Sequence, residues 1–143
     1  MRVSGKLIDD IRAALPGLEL FENEPMSAHC SFRIGGPARL MCCPGTAEEA
    51  AALLRLLHES GAPFELMGNG TNLLVPDEGL DKVVVRLGEA MSEAISLGDG
   101  HIRAGAGITL AKLAVFAANE GLSGLEFAHG IPGSLGGAVF MNA

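Results

Sequence analysis

The sequence predicts an α+β fold in two parts, a small βαβ subdomain followed by the start of a second, antiparallel α+β subdomain. Three observations predict it. Between Ala38 and Leu87 a capped, periodic helix is flanked by strand-like segments, the pattern of parallel strands joined by a crossover. After Gly88, two short strand-like runs flank Gly98, Asp99 and Gly100, and an Asp-Gly pair in that setting signals an antiparallel hairpin. Glycine supplies 20 of the 143 residues, about twice the usual 7%, so tight loops must be numerous.

Leu7, Ile8, Ile11 and Leu15 form the apolar face of a helix over Ser4 to Leu15, which Pro16 and Gly17 stop. Asn23 to His29 is polar and reads as irregular. Ala38 to Cys43 has strand character and ends at Pro44 and Gly45. Thr46 and Glu49 make a capping box, Ala50, Leu53, Leu54 and Leu57 follow with helical spacing, and Gly61 supplies the stop. Phe64 to Met67 is a short strand. Lys82 to Leu87 is another, and its Val83, Val84 and Val85 suit a strand buried on both faces. The crossover is expected to be right-handed. The hairpin strands are Glu93 to Leu97 and His101 to Ala104. A second helix runs from Leu110 to Glu120, with Leu110, Leu113, Phe116 and Ala117 on one stripe, and ends at Gly121. The remainder is glycine-rich, and its end, Val139, Phe140 and Met141, is apolar and extended in character. The predicted division is an N-terminal helix and linker (1–25), a first subdomain (26–90) and an incomplete second one (91–143), with the boundary near Gly88 to Met91.

Ten Lys+Arg against 17 Asp+Glu leave a net charge of −7, which offers no basic face for a phosphate backbone. With no Trp, no Tyr and six Phe, a base-stacking platform is absent too, so no nucleic-acid partner is expected. Cys30, Cys42 and Cys43 are odd in number, and the adjacent pair points to opposite faces of an extended segment, so no disulfide framework is expected. Asp9 and Asp10 interrupt the apolar run that a signal peptide needs. The longest apolar segment, Leu110 to Ala118, is short and contains Lys112. No membrane association is expected, and a cytoplasmic, reducing location is. His29, His58, His101 and His129 lack metal-ligand spacing, so each reads as a surface or hydrogen-bonded histidine and no metal is expected.

Three glycine loops carry the candidate chemistry. Gly68, Asn69, Gly70, Thr71 and Asn72 follow a strand directly. Two close glycines free the backbone to turn its N–H groups onto an anion, and Thr71 and Asn72 add donors. The loop lacks Gly-Lys-Ser/Thr, and Leu73 stands where a dinucleotide fingerprint needs its third glycine. It reads either as a phosphate cradle or as a plain turn. Gly105, Ala106 and Gly107 precede the second helix, whose N-terminus would offer N–H groups to an anion, but a lone G-x-G equally reads as a tight turn. Gly130 to Gly137, with Pro132 and Ser134, can lay backbone flat against a ligand, and the interspersed Leu125, Phe127, Ile131, Leu135 and Val139 argue against a flexible linker. Arg33 could pair with a ligand phosphate or with a carboxylate such as Glu65.

Ser31 to Ala38 (SFRIGGPA), Gly68 to Leu74 (GNGTNLL), Ala104 to Gly107 (AGAG) and Gly124 to Ala143 (GLEFAHGIPGSLGGAVFMNA) together resemble, in order and spacing, the N-terminal half of the UDP-N-acetylenolpyruvoylglucosamine reductases. The resemblance runs from about Met26 to Ala143. It implies an FAD-binding domain of the vanillyl-alcohol-oxidase type, with the flavin between two α+β subdomains. Gly68, Asn69, Gly70, Thr71, Asn72 and Leu73 then carry over as cofactor-binding residues, as do Gly130, Ile131, Pro132, Gly133, Ser134, Gly136 and Gly137. Ala106 and Gly107 follow from the second loop, and Arg33 and Asn142 as secondary contacts.

The resemblance further implies an NADPH-dependent flavoenzyme of peptidoglycan synthesis, acting in cell-wall biogenesis, cell shape and cell division. It reduces the enolpyruvyl ether of a UDP-sugar to UDP-N-acetylmuramate. The family's proton-donating serine and assisting glutamate and arginine are expected downstream of Ala143, so no catalytic residue is assigned and the 143-residue chain alone is expected to be inactive. The alternative is a stand-alone flavin-binding module or the FAD subunit of a related oxidoreductase. An apolar C-terminal end would also permit self-association through the second subdomain.

Overall fold

A computed structural model describes residues 2–143. The first half is a four-stranded sheet in the order β1-β2-β4-β3, with β1 Glu19–Pro25, β2 Pro37–Cys43, β3 Phe64–Met67 and β4 Leu80–Arg86. The strands β2, β4 and β3 run parallel, the helix α2 (Ala47–Ser60) linking β2 to β3, while β1 lies antiparallel against β2. The βαβ unit is therefore present as read. The strand β1 departs from the sequence reading, in which Asn23 to His29 is irregular and no strand precedes it. It forms because an edge strand needs only one bonded side. Glu22 and Glu24 pair with Leu40 and Ala38, and the Asn23 side chain accepts from Arg39 Nη1 at 3.1 Å.

Two apolar clusters lie on the two faces of this sheet. The helix α1 (Gly5–Ala14) contributes Leu7, Ile8 and Ile11, and α2 contributes Leu53 and Leu57, to a cluster against Leu40, Cys42, Val83 and Val85. On the opposite face Met26, Cys30, Ala38, Met41, Met67, Val75 and Val84 pack together beneath the loops. All three valines of β4 are at most 1% exposed, as expected of a central parallel strand. Alternation sends Cys42 to the helix face and Cys43 to the loop face. Burial, reinforced by Cys43, pushes the Cys42 thiol up to about 12, and burial also raises Cys43 against the opposing charge of Arg86. Both stay protonated at neutral pH and are poor nucleophiles. The three cysteines are free.

The cap of α2 differs in one detail from a capping box. Thr46 Oγ1 accepts from the Glu49 amide at 3.1 Å, but the Glu49 carboxylate accepts from Gly45 N at 2.7 Å, one residue earlier than the motif requires. Gly61 ends the helix at φ +65°, the left-handed conformation that favours glycine.

After a 3-10 turn at Glu89–Met91 come the hairpin strands β5 (Ala94–Gly98) and β6 (His101–Ala104), then the helix α3 (Leu110–Asn119). The chain ends in a 3-10 segment, Glu126–Gly130, and a helix α4, Leu135–Met141. The expectation of an extended C-terminal end is thus corrected, since Val139, Phe140 and Met141 are helical. Ser134 caps this helix by accepting from Gly137 N at 3.3 Å, and Asn142 closes it at φ +53°. The side chains of Val139 and Phe140 remain 73% and 87% exposed.

Candidate functional site

The parallel strands β2, β4 and β3 end at one edge of the sheet, the edge where open α/β sheets place their ligands. The first glycine loop leaves β3 there. Gly70 has φ +65°, its carbonyl accepts from Ser31 N at 3.0 Å, and a Cβ at this position would overlap the His29 carbonyl. The loop is therefore folded onto the Met26–Ser31 segment, on the loop face of the sheet. His29 is fixed in turn by Glu24, Nε2 to Oε1 at 2.8 Å, so it is the hydrogen-bonded histidine the sequence predicts. The amides of Asn69, Gly70, Thr71 and Asn72 donate none of the loop and turn hydrogen bonds of the backbone among the described residues. Free amides on a glycine loop with a positive φ are what an anion cradle requires.

The third loop meets the first. A Cβ on Gly68 would overlap Ser134 Oγ, and Gly133, at φ +129°, has its Cβ position 3.2 Å from Thr71 Oγ1. Ser134 is 3% exposed. The second loop meets the third through Gly136 N to the Ala106 carbonyl at 2.9 Å, Leu135 N to the Ile108 carbonyl at 2.8 Å and Leu110 N to the Gly133 carbonyl at 3.1 Å. All three loops, far apart in sequence, thus form one junction. Gly130 has open space where a Cβ would stand.

Several residues turn out to serve the junction's own packing. The second loop is a tight turn: Gly105 N and Gly107 N donate to the Glu93 and Met91 carbonyls at 2.8 and 3.0 Å, and a Cβ on Gly107 would overlap the Gly88 carbonyl. In the first turn of α3 the amides of Leu110 and Lys112 are already engaged, Lys112 N donating to Thr109 Oγ1 at 3.2 Å and Leu110 N to the Gly133 carbonyl. Leu73 packs into the loop-face core. Asn142 is the exposed cap at the far end of α4. Arg33, exposed with φ +54°, does not pair with Glu65, which is bound by Lys82 at 2.9 Å. A cavity of about 430 Å³ lies away from the first loop, between the hairpin and α3, lined by apolar side chains such as Ile102, Leu113, Ala117 and Leu122. It suits no anion.

One residue at this edge was missed by sequence reasoning. Arg86 ends β4 opposite Met67, and its Nε is buried with no hydrogen-bond partner. The signal was an arginine closing a run of three valines, two residues before Gly88. Free amides, a Ser134–Gly68 contact that only glycine permits and a buried guanidinium Nε without an acceptor together fit an anionic, phosphate-bearing cofactor.

A family model described as an FAD binding domain matches residues 38–143. The chain is 51% identical over 122 residues to a UDP-N-acetylenolpyruvoylglucosamine reductase of Heliobacterium modesticaldum, covering 85% of this chain and 38% of that protein. The crystal structure of the same-named reductase from Thermus caldophilus matches with 38% identity and a TM-score of 0.65, covering 88% of this chain and 42% of that one. Cholesterol oxidase from Brevibacterium sterolicum, at 17% identity and a TM-score of 0.63, covers 90% and 25% of the two chains and shares the fold alone. The chain thus spans about two-fifths of the length of the reductases it matches. No helix among the described residues is long and apolar enough to cross a membrane.

Proposed function

The chain belongs to the FAD binding domain family, and on that premise we propose that it forms the flavin-holding part of a UDP-N-acetylenolpyruvoylglucosamine reductase. The observation that carries the reading is the junction at Gly68 and Ser134, where motifs more than sixty residues apart touch through a contact that tolerates no Cβ. Gly68 to Asn72 and Gly130 to Gly137 hold the cofactor, residues 26–90 and 91–143 being the two subdomains that approach it. The free amides of Asn69 to Asn72 are donors for phosphate oxygens.

Held by Gly68 to Asn72 and Gly130 to Gly137, FAD would supply the hydride transfer by which NADPH reduces the enolpyruvyl group of a UDP-sugar. The residues of this chain bind and orient. Ser134 Oγ is engaged as the cap of α4 and Cys42 and Cys43 are protonated, so none of these three is assigned an acid or base role. Three free thiols and the use of NADPH and a UDP-sugar suit a cytoplasmic location.

The test joins residues 26–143 of this chain to the downstream part of the Heliobacterium reductase. The chimera should retain FAD and oxidise NADPH only when the enolpyruvyl UDP-sugar is present. A chimera that holds FAD without substrate-coupled oxidation refutes the reductase reading and leaves flavin binding standing.

A further inference from the structure

Arg86 stands apart among the ten Lys and Arg residues of the chain. Arg2, Lys6, Arg12, Lys82 and Lys112 are in ion pairs, and Arg39 bonds Asn23. Arg33, Arg55 and Arg103 are exposed to water. Arg86 is half-buried, joins no described ion pair, and has a buried Nε with no acceptor. An N–H hidden from water without a partner is costly, more so on a cation, and such a group in a native fold calls for a missing acceptor.

Its position says where that acceptor lies. In β4, Val83 and Val85 face the helices while Val84 faces the loops, so by alternation Arg86 shares the loop face. There it is registered against Met67, whose carbonyl accepts from Leu87 N at 2.8 Å, and the next residue is Gly68. Arg86 therefore stands at the base of the first glycine loop, at the carboxyl end of the parallel strands. Neither Gly68 to Asn72 nor Gly130 to Gly137 contains a Lys or Arg. Amide dipoles alone would have to meet a doubly charged diphosphate.

We infer that Arg86 is the fixed cation of the cradle and pairs with the diphosphate of FAD. The inference rests on the flavin-binding reading and names a residue that the motifs do not include. A guanidinium suits the task, since it stays charged and forks onto two phosphate oxygens.

The test uses the 143-residue chain with Arg86→Met and Arg86→Lys. FAD affinity is read by quenching of flavin fluorescence from low to high salt, and stability by thermal unfolding without FAD. The Met variant should lose about 10- to 100-fold in FAD affinity at low salt, the loss shrinking as salt screens the parent's ion pair. The same variant without FAD should melt at a higher temperature, because the unpaired charge is gone and a thioether fits beside Met67 and Cys43. Lys should fall between. A uniform loss at all salts, an unchanged affinity, or a lower melting temperature without FAD would overturn the assignment and make Arg86 structural. Failure of the parent chain to bind FAD would sink the cradle itself, whereas FAD binding by the parent with an indifferent Met variant sinks only the role of Arg86.

Discussion

Replacing Gly68 by alanine tests the contact on which the junction depends. The new Cβ would overlap Ser134 Oγ and stand 3.3 Å from Ser134 Cβ. Ser134 is buried, and its Oγ holds the Gly137 amide at 3.3 Å, so the hydroxyl cannot turn aside without releasing the cap of α4. Losing the cap costs about 1 kcal/mol, and forcing a methyl into a packed contact costs about 1–3 kcal/mol. Gly68→Ala should therefore destabilise by about 2–4 kcal/mol and Ser134→Ala by about 1 kcal/mol. In the double variant the offending oxygen is gone and only a tight methyl–methyl contact remains. Its cost should be about 2 kcal/mol, below the sum of the singles by at least about 1 kcal/mol. Urea unfolding of the four proteins measures this coupling. Additivity within about 0.5 kcal/mol would show that Gly68 and Ser134 do not meet, and the junction would be refuted.

Gly107→Ala should destabilise by more than about 2 kcal/mol because its Cβ would overlap the rigid Gly88 carbonyl, while Gly130→Ala, with open space, should stay within about 0.5 kcal/mol; thermal melts separate the two. Thr46→Ala should cost about 1 kcal/mol in urea unfolding, through loss of the bond from the Glu49 amide. The raised thiol of Cys42 makes a signed prediction. The unfolded chain ionises near 9.0 and the folded one near 12, so this contribution is whole below pH 9 and is lost as pH rises toward 12. It amounts to roughly 4 kcal/mol at most. Circular dichroism should place the alkaline unfolding midpoint of Cys42→Val above that of the parent, and equal midpoints would contradict the burial of this thiol.

What the sequence revealed follows from where each element draws its stability. The helix α2 carries its own cap, stripe and stop, and β4 its valines, so local chemistry and tertiary placement agree. The strand β1 was illegible because Leu20 and Phe21 are adjacent rather than alternating and Glu22, Asn23 and Glu24 follow, a sequence that is a strand only when β2 lies beside it. The helix α4 was hidden for the opposite reason. Its Gly136, Gly137 and Val139 are weak helix formers, and the turn is set by the Ser134 cap and by the bonds to Ala106 and Ile108 from a distant loop. Of the site, the loops were legible as glycine runs and Arg86 was not, since a charge at the end of a strand looks like an exposed end until the strands beside it are known.

The glycines themselves need a finer reading than their motif. Gly70 invites the argument that a side chain would strike a phosphate, but its Cβ position points at the His29 carbonyl and Cys30. Gly70→Val would therefore wreck the seating of the loop before it touched a ligand, and lost cofactor affinity in that variant would say nothing about the cradle. The same holds for Gly105 and Gly107, whose Cβ positions meet Met91 and Gly88 backbone. Gly130 differs, with nothing against it, and the amides of Asn69 to Asn72 differ because their N–H groups rather than their Cβ positions are free. Glycine in these loops thus does two separate jobs, letting distant loops close on each other and leaving amides without an internal acceptor. Only groups of the second kind, together with the guanidinium of Arg86 at the base, can report on what the junction holds.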